Sequence, residues 1–385
     1  MEAYHATTLL LLAAGAFFIP LLSERVHVPA AVGEILYGIL IAEHGLGLIA
    51  ESQFTHFLGD FGFAFLMFLA GLEIDFVDLE RLGRKGLSLV GIAAASVFLL
   101  SFGLVSIMSL PIFYVLVLSA MSLGLALVAL RDTELGATRL GQSILVAGSF
   151  GEFLTIVLLT VTDLSALHGT GLDLALGLVK LGLVFVVAYI LLVVLRTLVW
   201  WHPKSFERIV RSQDSSEIGI RASFAMMLAF IAVAALLGVE AILGAFVAGA
   251  LMSFVFREKE VIEEKMSAFG FGFFVPIFFI EVGTRFDFST VFQQEFVALL
   301  AFFLVAGFVV RAAPMLLFRF LGLSFREILS TGIILSAPLT LLIAISQVGL
   351  HTGLIDSTAS ATIVLYAVVG GILFPVLFRR VAPRR

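Results

Sequence analysis

The chain has 385 residues, 61% of them hydrophobic and 13% charged, with a mean hydropathy of +1.15. One water-soluble globule of this length cannot hide so much apolar surface, so the chain is a polytopic membrane protein. A net charge of −5 says little about partners here, and the lack of cysteine excludes disulfides and thiolate metal sites.

The first stretch, MEAYHATTLLLLAAGAFFIPLL, has neither a basic n-region nor a small-residue cleavage site, and reads as a retained first helix. Apolar runs of spanning length then lie near 7–22, 28–49, 56–76, 86–108, 110–130, 140–163, 173–200, 217–237, 239–256, 266–285, 292–320, 327–347 and 356–378. The expected fold class is therefore all-α, with 13 transmembrane helices. The connection after Leu237, LGVEA, is very short and leaves one boundary soft.

Basic residues test this count independently, because they concentrate on the cytoplasmic side. With the N-terminus outside, the cytoplasmic connections hold Arg25, Arg81, Arg84, Lys85, Arg131, Arg139, Lys204, Arg208, Arg211, Arg257, Lys259, Lys265, Arg319 and Arg326. The C-terminal tail adds Arg379, Arg380, Arg384 and Arg385, which brings the cytoplasmic side to 18 of the 23 basic residues. The outer connections hold Arg285 alone, while Lys180, Arg196, Arg221 and Arg311 fall inside expected helices. The N-terminus is thus expected outside and the C-terminus in the cytoplasm. The two longest cytoplasmic loops, WHPKSFERIVRSQDSSE and REKEVIEEK, are too short to fold alone. A single transmembrane domain over 1–385, with no soluble regulatory domain, is expected.

Two apolar runs look interrupted in corresponding places. LSAMSLGLALVAL carries Ser119, Ser122 and Gly124 near its centre; LSAPLTLLIAI carries Ser336, Pro338 and Thr340. Proline removes a backbone donor and clashes with the preceding turn. Broken backbone at membrane depth is tolerated only where protein or a wet cavity covers it. The pairing favours broken helices of an inverted-repeat transporter over two kinked packing helices. The repeats would be about 28–168 and 239–378, preceded by helix 1.

Glu152 lies in the middle of its run, GSFGEFLTIVLL, with no Lys, Arg or His within ten residues on either side. An ionised carboxylate at mid-bilayer costs at least ~2.5 kcal/mol. Such a group suits exchange of a proton for a metal cation; the alternative is a structural acid held by hydrogen bonds. Arg311 keeps its charge under all accessible conditions and could pair with Glu152, with Glu281 or with carbonyls of the broken helices. Glu281, in VPIFFIEVGTRFD, is either an entrance group or an interfacial residue with its head in water. Glu34, Glu43, Asp60, Glu73 and Asp75 read as snorkelling or capping groups, and Lys180 and Arg221 have no evident partner. No phosphate-cradling loop occurs and the seven histidines lack metal-ligand spacing, so nothing indicates an ATP-driven pump, a nuclease or a metalloprotease. The chain is expected to be no enzyme, to need no cofactor and to bind no nucleic acid; its partners are the bilayer, monovalent cations and protons.

Four stretches, VPAAVGEILYGILIAEHGLGLI, GFAFLMFLAGLEIDF, LGVEAILGAFVAGALMS and VPIFFIEVG, resemble in this order the cation:proton antiporter-2 family of NapA-type and Kef-type exchangers. The resemblance implies the NhaA fold: a homodimer in a bacterial or archaeal inner membrane, each subunit with a dimerisation panel and a mobile six-helix core. In that core two broken helices cross near an acidic site. Carried over by position, Glu152 matches the ion-binding carboxylate that takes Na⁺ or K⁺. Ser122 and Gly124 then fall in the first unwound helix, and Pro338 and Thr340 in the second. Arg311 matches the core cation, 28 residues after Gly283. Where the family has an acidic pair or an Asn-Asp or Gln-Asp dipeptide, this chain has Gly151-Glu152; its second broken helix reads SAPLTL, without Arg-Gly-Glu. With one central carboxylate and an arginine that cannot release its proton, the expected activity is electroneutral 1:1 exchange of Na⁺ or K⁺ for H⁺ by alternating access. Rivals are a sodium-coupled organic-solute symporter on the same fold, a passive cation channel and a transport-dead sensor.

Overall fold

The computed structural model describes residues 3–26, 28–43, 45–50, 52–74, 76–136, 138–169, 171–201, 217–255, 260–286 and 294–383. Asp75, Lys204, Arg208, Arg211, Arg257, Lys259, Arg384 and Arg385 lie outside the described residues. Within them the chain is all-helical, the sole β feature being an isolated bridge between Ala42 and Ile49. Ten helical runs among the described residues are long and apolar enough to cross a membrane, and three shorter apolar runs cover Ala30–Ile41, Tyr114–Leu130 and Ala241–Val255.

The helices fall into two compact units, each drawing one segment from either half of the chain. The first unit contains Met1–Phe76 and His168–Phe286. Its helices are α1 (Ala3–Arg25), α2 (Ala30–Ile41), α3 (Gln53–Leu72), α8 (Leu172–Trp201), α9 (Ile218–Leu237), α10 (Ala241–Val255), α11 (Glu260–Phe269) and α12 (Val275–Thr284). A π-helical turn, Gly270–Phe274, joins the last two, so the expected 266–285 run is a compound element. Ser52 caps α3 with its hydroxyl on the Thr55 N–H, and Thr55 answers from the N3 position on the Ser52 N–H.

Two close crossings organise this unit. A Cβ added at Gly38 of α2 would strike the Ile280 carbonyl oxygen of α12, and one at Gly283 of α12 would strike the Ile35 carbonyl oxygen of α2. The same reciprocity joins α3 and α10: Gly71 lies against the Phe246 carbonyl, and Gly249 against the Phe68 carbonyl. Apolar side chains gain nothing over lipid when two helices meet in a bilayer, so close backbone approach at small residues supplies the packing. Phe63 stacks on Phe278 beside these contacts, ring centroids 4.8 Å apart.

The second unit contains Val77–Leu167 and Asp287–Arg385. Its helices are α4 (Phe76–Ile107, which begins one residue before the unit), α5 (Tyr114–Ser119), α6 (Gly124–Asp132), α7 (Arg139–His168), α13 (Gln294–Ala312), α14 (Phe325–Leu335), α15 (Leu339–His351) and α16 (Ser357–Val381). A 3₁₀ segment, Pro314–Leu321, extends α13. Its core packs Val97, Met121, Ile144, Phe318, Leu335, Phe374 and their neighbours without solvent. Both interrupted runs are interrupted here. The first stops at Ser119 and restarts at Gly124; the second stops at Leu335 and restarts at Leu339, where Pro338 stands as N-cap with ψ at 58°. Ser119 donates to the Val115 carbonyl at 2.6 Å and Ser336 to the Gly332 carbonyl at 2.7 Å, so each half-helix that enters a break ends on a serine bonded four residues back.

The reciprocal glycines give a test. Gly38→Val and Gly249→Val should each destabilise the detergent-solubilised protein by 3 kcal/mol or so, the upper part of the overpacking range, because the obstacle is backbone. Gly103→Ala, in α4 with nothing within 4 Å of an added Cβ, should be neutral or slightly stabilising. Thermal unfolding followed by size-exclusion chromatography checks both.

Candidate ion site at a helix break

The second unit brings together Glu152 of α7, the break between α5 and α6, Thr340 of α15 and Arg311 of α13. Glu152 is the fourteenth residue of a thirty-residue helix and is only 2% exposed. Its Oε1 accepts from Ser122 Oγ at 3.2 Å, and its Oε2 accepts from the Leu123 backbone N–H at 3.1 Å. Leu123 immediately precedes α6, and its carbonyl accepts from Leu127, so its N–H is one of the donors a helix start leaves free. A carboxylate there also meets the positive end of the helix dipole. Thr340 Oγ1 lies 3.0 Å from Ser122 Oγ. If Ser122 gives its proton to Glu152, Thr340 donates to Ser122, and a hydroxyl from each break then contributes to one chain of bonds ending on the carboxylate.

Arg311 is fully buried and does not pair with Glu152. Nε donates to the Ala120 carbonyl at 2.6 Å, Nη2 to the Val117 carbonyl at 3.0 Å and Nη1 to Tyr366 Oη at 2.8 Å. Val117 and Ala120 are at the end of α5, where carbonyls lack intrahelical donors and the dipole is negative. Of the three partners the sequence left open for Arg311, the carbonyls of a broken helix are the ones it has. Gly307, one turn earlier, leaves room for this arrangement: an added Cβ would stand 2.7 Å from Arg311 Nη1. The interrupted helix therefore carries a cation at its free C-terminal end and an acid at its free N-terminal end.

The remaining candidates fall in different places. Gly151 precedes Glu152 on α7 and lies under the Met121 side chain. Gly124 opens α6 with open space around it, so neither crowding nor a positive φ requires glycine there. Ser119 and Ser336 turn back on their own helices, away from the carboxylate. Glu281 belongs to the first unit and is not a water-exposed interfacial group: it is 4% exposed, forms an ion pair with Arg285, and its Oε1 lies 3.0 Å from His56 Nδ1. Glu34 is 3% exposed in the middle of α2, not a snorkelling group, because α2 is buried along that face. Glu43, Asp60, Lys180 and Arg221 are exposed. Among the described residues no group of three or more His, Cys, Asp or Glu could hold a metal ion. Tyr366, His56 and Met121 were not singled out from the sequence. No local signal marks them, since each matters through a partner at least 30 residues away.

Residues 13–381 match the family model described as sodium/hydrogen exchanger, transmembrane. The chain belongs to this family of cation:proton antiporters. It is 31% identical to the YjbQ protein of Bacillus subtilis (strain 168) over 389 aligned residues, covering 96% of this chain but 62% of that protein. To the Na⁺/H⁺ antiporter of Enterococcus hirae it is 27% identical over 367 residues, with 93% of each chain covered. The solved structure of the sodium proton antiporter MjNhaP1 from Methanocaldococcus jannaschii at pH 8 superposes with a TM-score of 0.68 at 15% identity, covering 96% of this chain and 94% of that one. At that identity the match concerns the fold alone. An exchanger-family chain of this fold is a membrane transporter by class.

The role of Arg311 as a cap is measurable. Arg311→Ala leaves two carbonyls and a tyrosine hydroxyl buried without a donor, and should cost on the order of 3 kcal/mol. Arg311→Lys keeps the charge but cannot span three acceptors, and should lie between the two. Thermal unfolding in detergent ranks the three proteins.

Proposed function

We propose that this chain exchanges a monovalent cation, Na⁺ or K⁺, for H⁺, one for one, with Glu152 as the group on which the two compete. The observation that carries this reading is a buried carboxylate on α7 held by the hydroxyl of Ser122 and the N–H of Leu123, facing the break between α5 and α6. These two donors and the α6 dipole favour the ionised form, while burial opposes it. Either a proton or a cation can neutralise the charge, and binding one displaces the other. A cation at Glu152 would also have the Ser122 and Thr340 oxygens within reach, a hard-oxygen set suited to alkali ions. Arg311 stays charged throughout and serves α5 rather than the ion. Net charge at the site is then the same in the proton-loaded and cation-loaded states, which makes the exchange electroneutral.

The proposed architecture is thirteen transmembrane helices in one transport domain: helix 1, then inverted repeats of about 28–168 and 239–378, each contributing one broken helix. The two breaks, the ten long apolar helices and the three shorter ones support it. The distribution of basic residues supports an outer N-terminus and a cytoplasmic C-terminus in a bacterial or archaeal inner membrane. The family resemblance supports a homodimer and access to Glu152 from the two membrane faces in alternation.

In proteoliposomes with a trapped pH dye, Na⁺ or K⁺ but not choline should collapse a pH gradient, at a rate unchanged when valinomycin clamps the membrane potential. Glu152→Gln should abolish this flux. Glu281→Gln, which alters an ion pair in the other unit, should retain it while lowering thermal stability. Flux that survives in Glu152→Gln overturns the reading, and flux that follows the clamped potential overturns the 1:1 stoichiometry.

A further inference from the structure

Met121 stands in the break between α5 and α6 and is 1% exposed. Its side chain fills the space beside Gly151: a Cβ added at 151 would lie 2.7 Å from Met121 Cβ and 3.1 Å from Sδ, and closer still to the terminal methyl. Two consecutive pairs thus face each other. Ser122 of the break bonds Glu152 of α7, while Met121 of the break covers Gly151. The surface of α7 at position 151, one residue before the acid, is therefore closed by a thioether and its methyl. A thioether is a soft group that does not serve alkali cations, which take oxygen ligands. A well-packed methionine also leaves no room for water, which needs both volume and polar partners to enter.

We propose that Met121 sets the size selectivity of the ion site by limiting how many oxygens can surround a cation at Glu152. A small cation is satisfied by the carboxylate and the Ser122 and Thr340 hydroxyls. A larger one needs more oxygens, and Met121 occupies the place where a further water would stand. Shortening Met121 opens a space with Glu152 beside it, water enters, and the larger cation gains a ligand. Gly151 is the matching half of this device, because any side chain there competes with Met121 for one volume. The inference rests on Glu152 being the exchange site.

The test is the half-saturating concentration of Li⁺, Na⁺, K⁺ and Rb⁺ for dye-reported proton flux in proteoliposomes. It compares wild type, Met121→Leu, Met121→Val, Met121→Ala and Glu152→Gln. The Na⁺-over-K⁺ preference should stay within twofold or so in Met121→Leu, which conserves volume. It should move towards K⁺ and Rb⁺ through Met121→Val to Met121→Ala, by about tenfold at the end, the scale on which a methylene-sized change in a binding wall discriminates. Gly151→Ala alone should lower flux, and Met121→Ala in that background should restore it. The proposal is overturned if active shortened variants keep the wild-type preference. It is equally overturned if the shortened variants are monodisperse but dead towards every cation, or if Gly151→Ala behaves as wild type. Any of these with Glu152→Gln inactive rejects the role of Met121 alone; exchange persisting in Glu152→Gln rejects the underlying site.

Discussion

An interrupted helix inside an apolar bundle exposes two sets of backbone groups with opposite polarity, and something must satisfy each. In this exchanger the free carbonyls at the end of α5 are met by Arg311, and the free N–H at the start of α6 is met by Glu152. Neither charged group would be tolerable at this depth without the break, and the break would not be tolerable without them. The two groups do not neutralise each other by contact. Each is matched to the dipole of a different half-helix, which leaves the carboxylate free of a permanent counter-ion. That separation fits the proposed exchange at Glu152, since an arginine in direct contact would hold the carboxylate ionised and compete with both proton and cation.

The breaks also explain the hydroxyl residues around them. Ser119 and Ser336 bond back four residues and finish their own half-helices. Ser122 and Thr340, each a few residues further on, link to one another and to the acid. Serines of similar sequence context thus divide into those that complete backbone and those that build the site, according to whether they end a half-helix or lie beyond it. In the other unit, the same constraint of a bilayer, where burial of apolar side chains gives little advantage, is met by a different device: paired glycines that let α2 meet α12 and α3 meet α10 at backbone distance.

Much of this was legible in the sequence, for identifiable reasons. A carboxylate in an apolar run and a proline after Ser-Ala are loud signals against a hydrophobic background and located Glu152 and the second break, while Ser119, Ser122 and Gly124 marked the first. The four stretches that carry the family resemblance turn out to supply α2, α3, α10 and α12, the helices of the reciprocal glycine crossings. What the sequence could not show was pairing. Arg311 had three conceivable partners, and only the geometry placed it on Ala120, Val117 and Tyr366. Glu34 read as a snorkelling or capping group and Glu281 as either an entrance group or an interfacial acid, because position along a helix says nothing about which face is covered, and both are buried. Where the family pattern has a polar or acidic side chain this chain has Gly151, and the space beside it is taken by Met121, thirty residues earlier in the chain.

The central claim is that cation and proton exclude each other at one carboxylate. Its most direct test is proton release on cation binding, measured in weakly buffered detergent solution with a pH indicator while the cation is titrated. The account predicts about one proton released per cation bound at a pH well below the midpoint of the free site's titration, falling to about half a proton at that midpoint, and none in Glu152→Gln, because a ligand that needs the deprotonated group must displace its proton. Saturable cation binding without proton release in the wild type, or release that persists in Glu152→Gln, would contradict it.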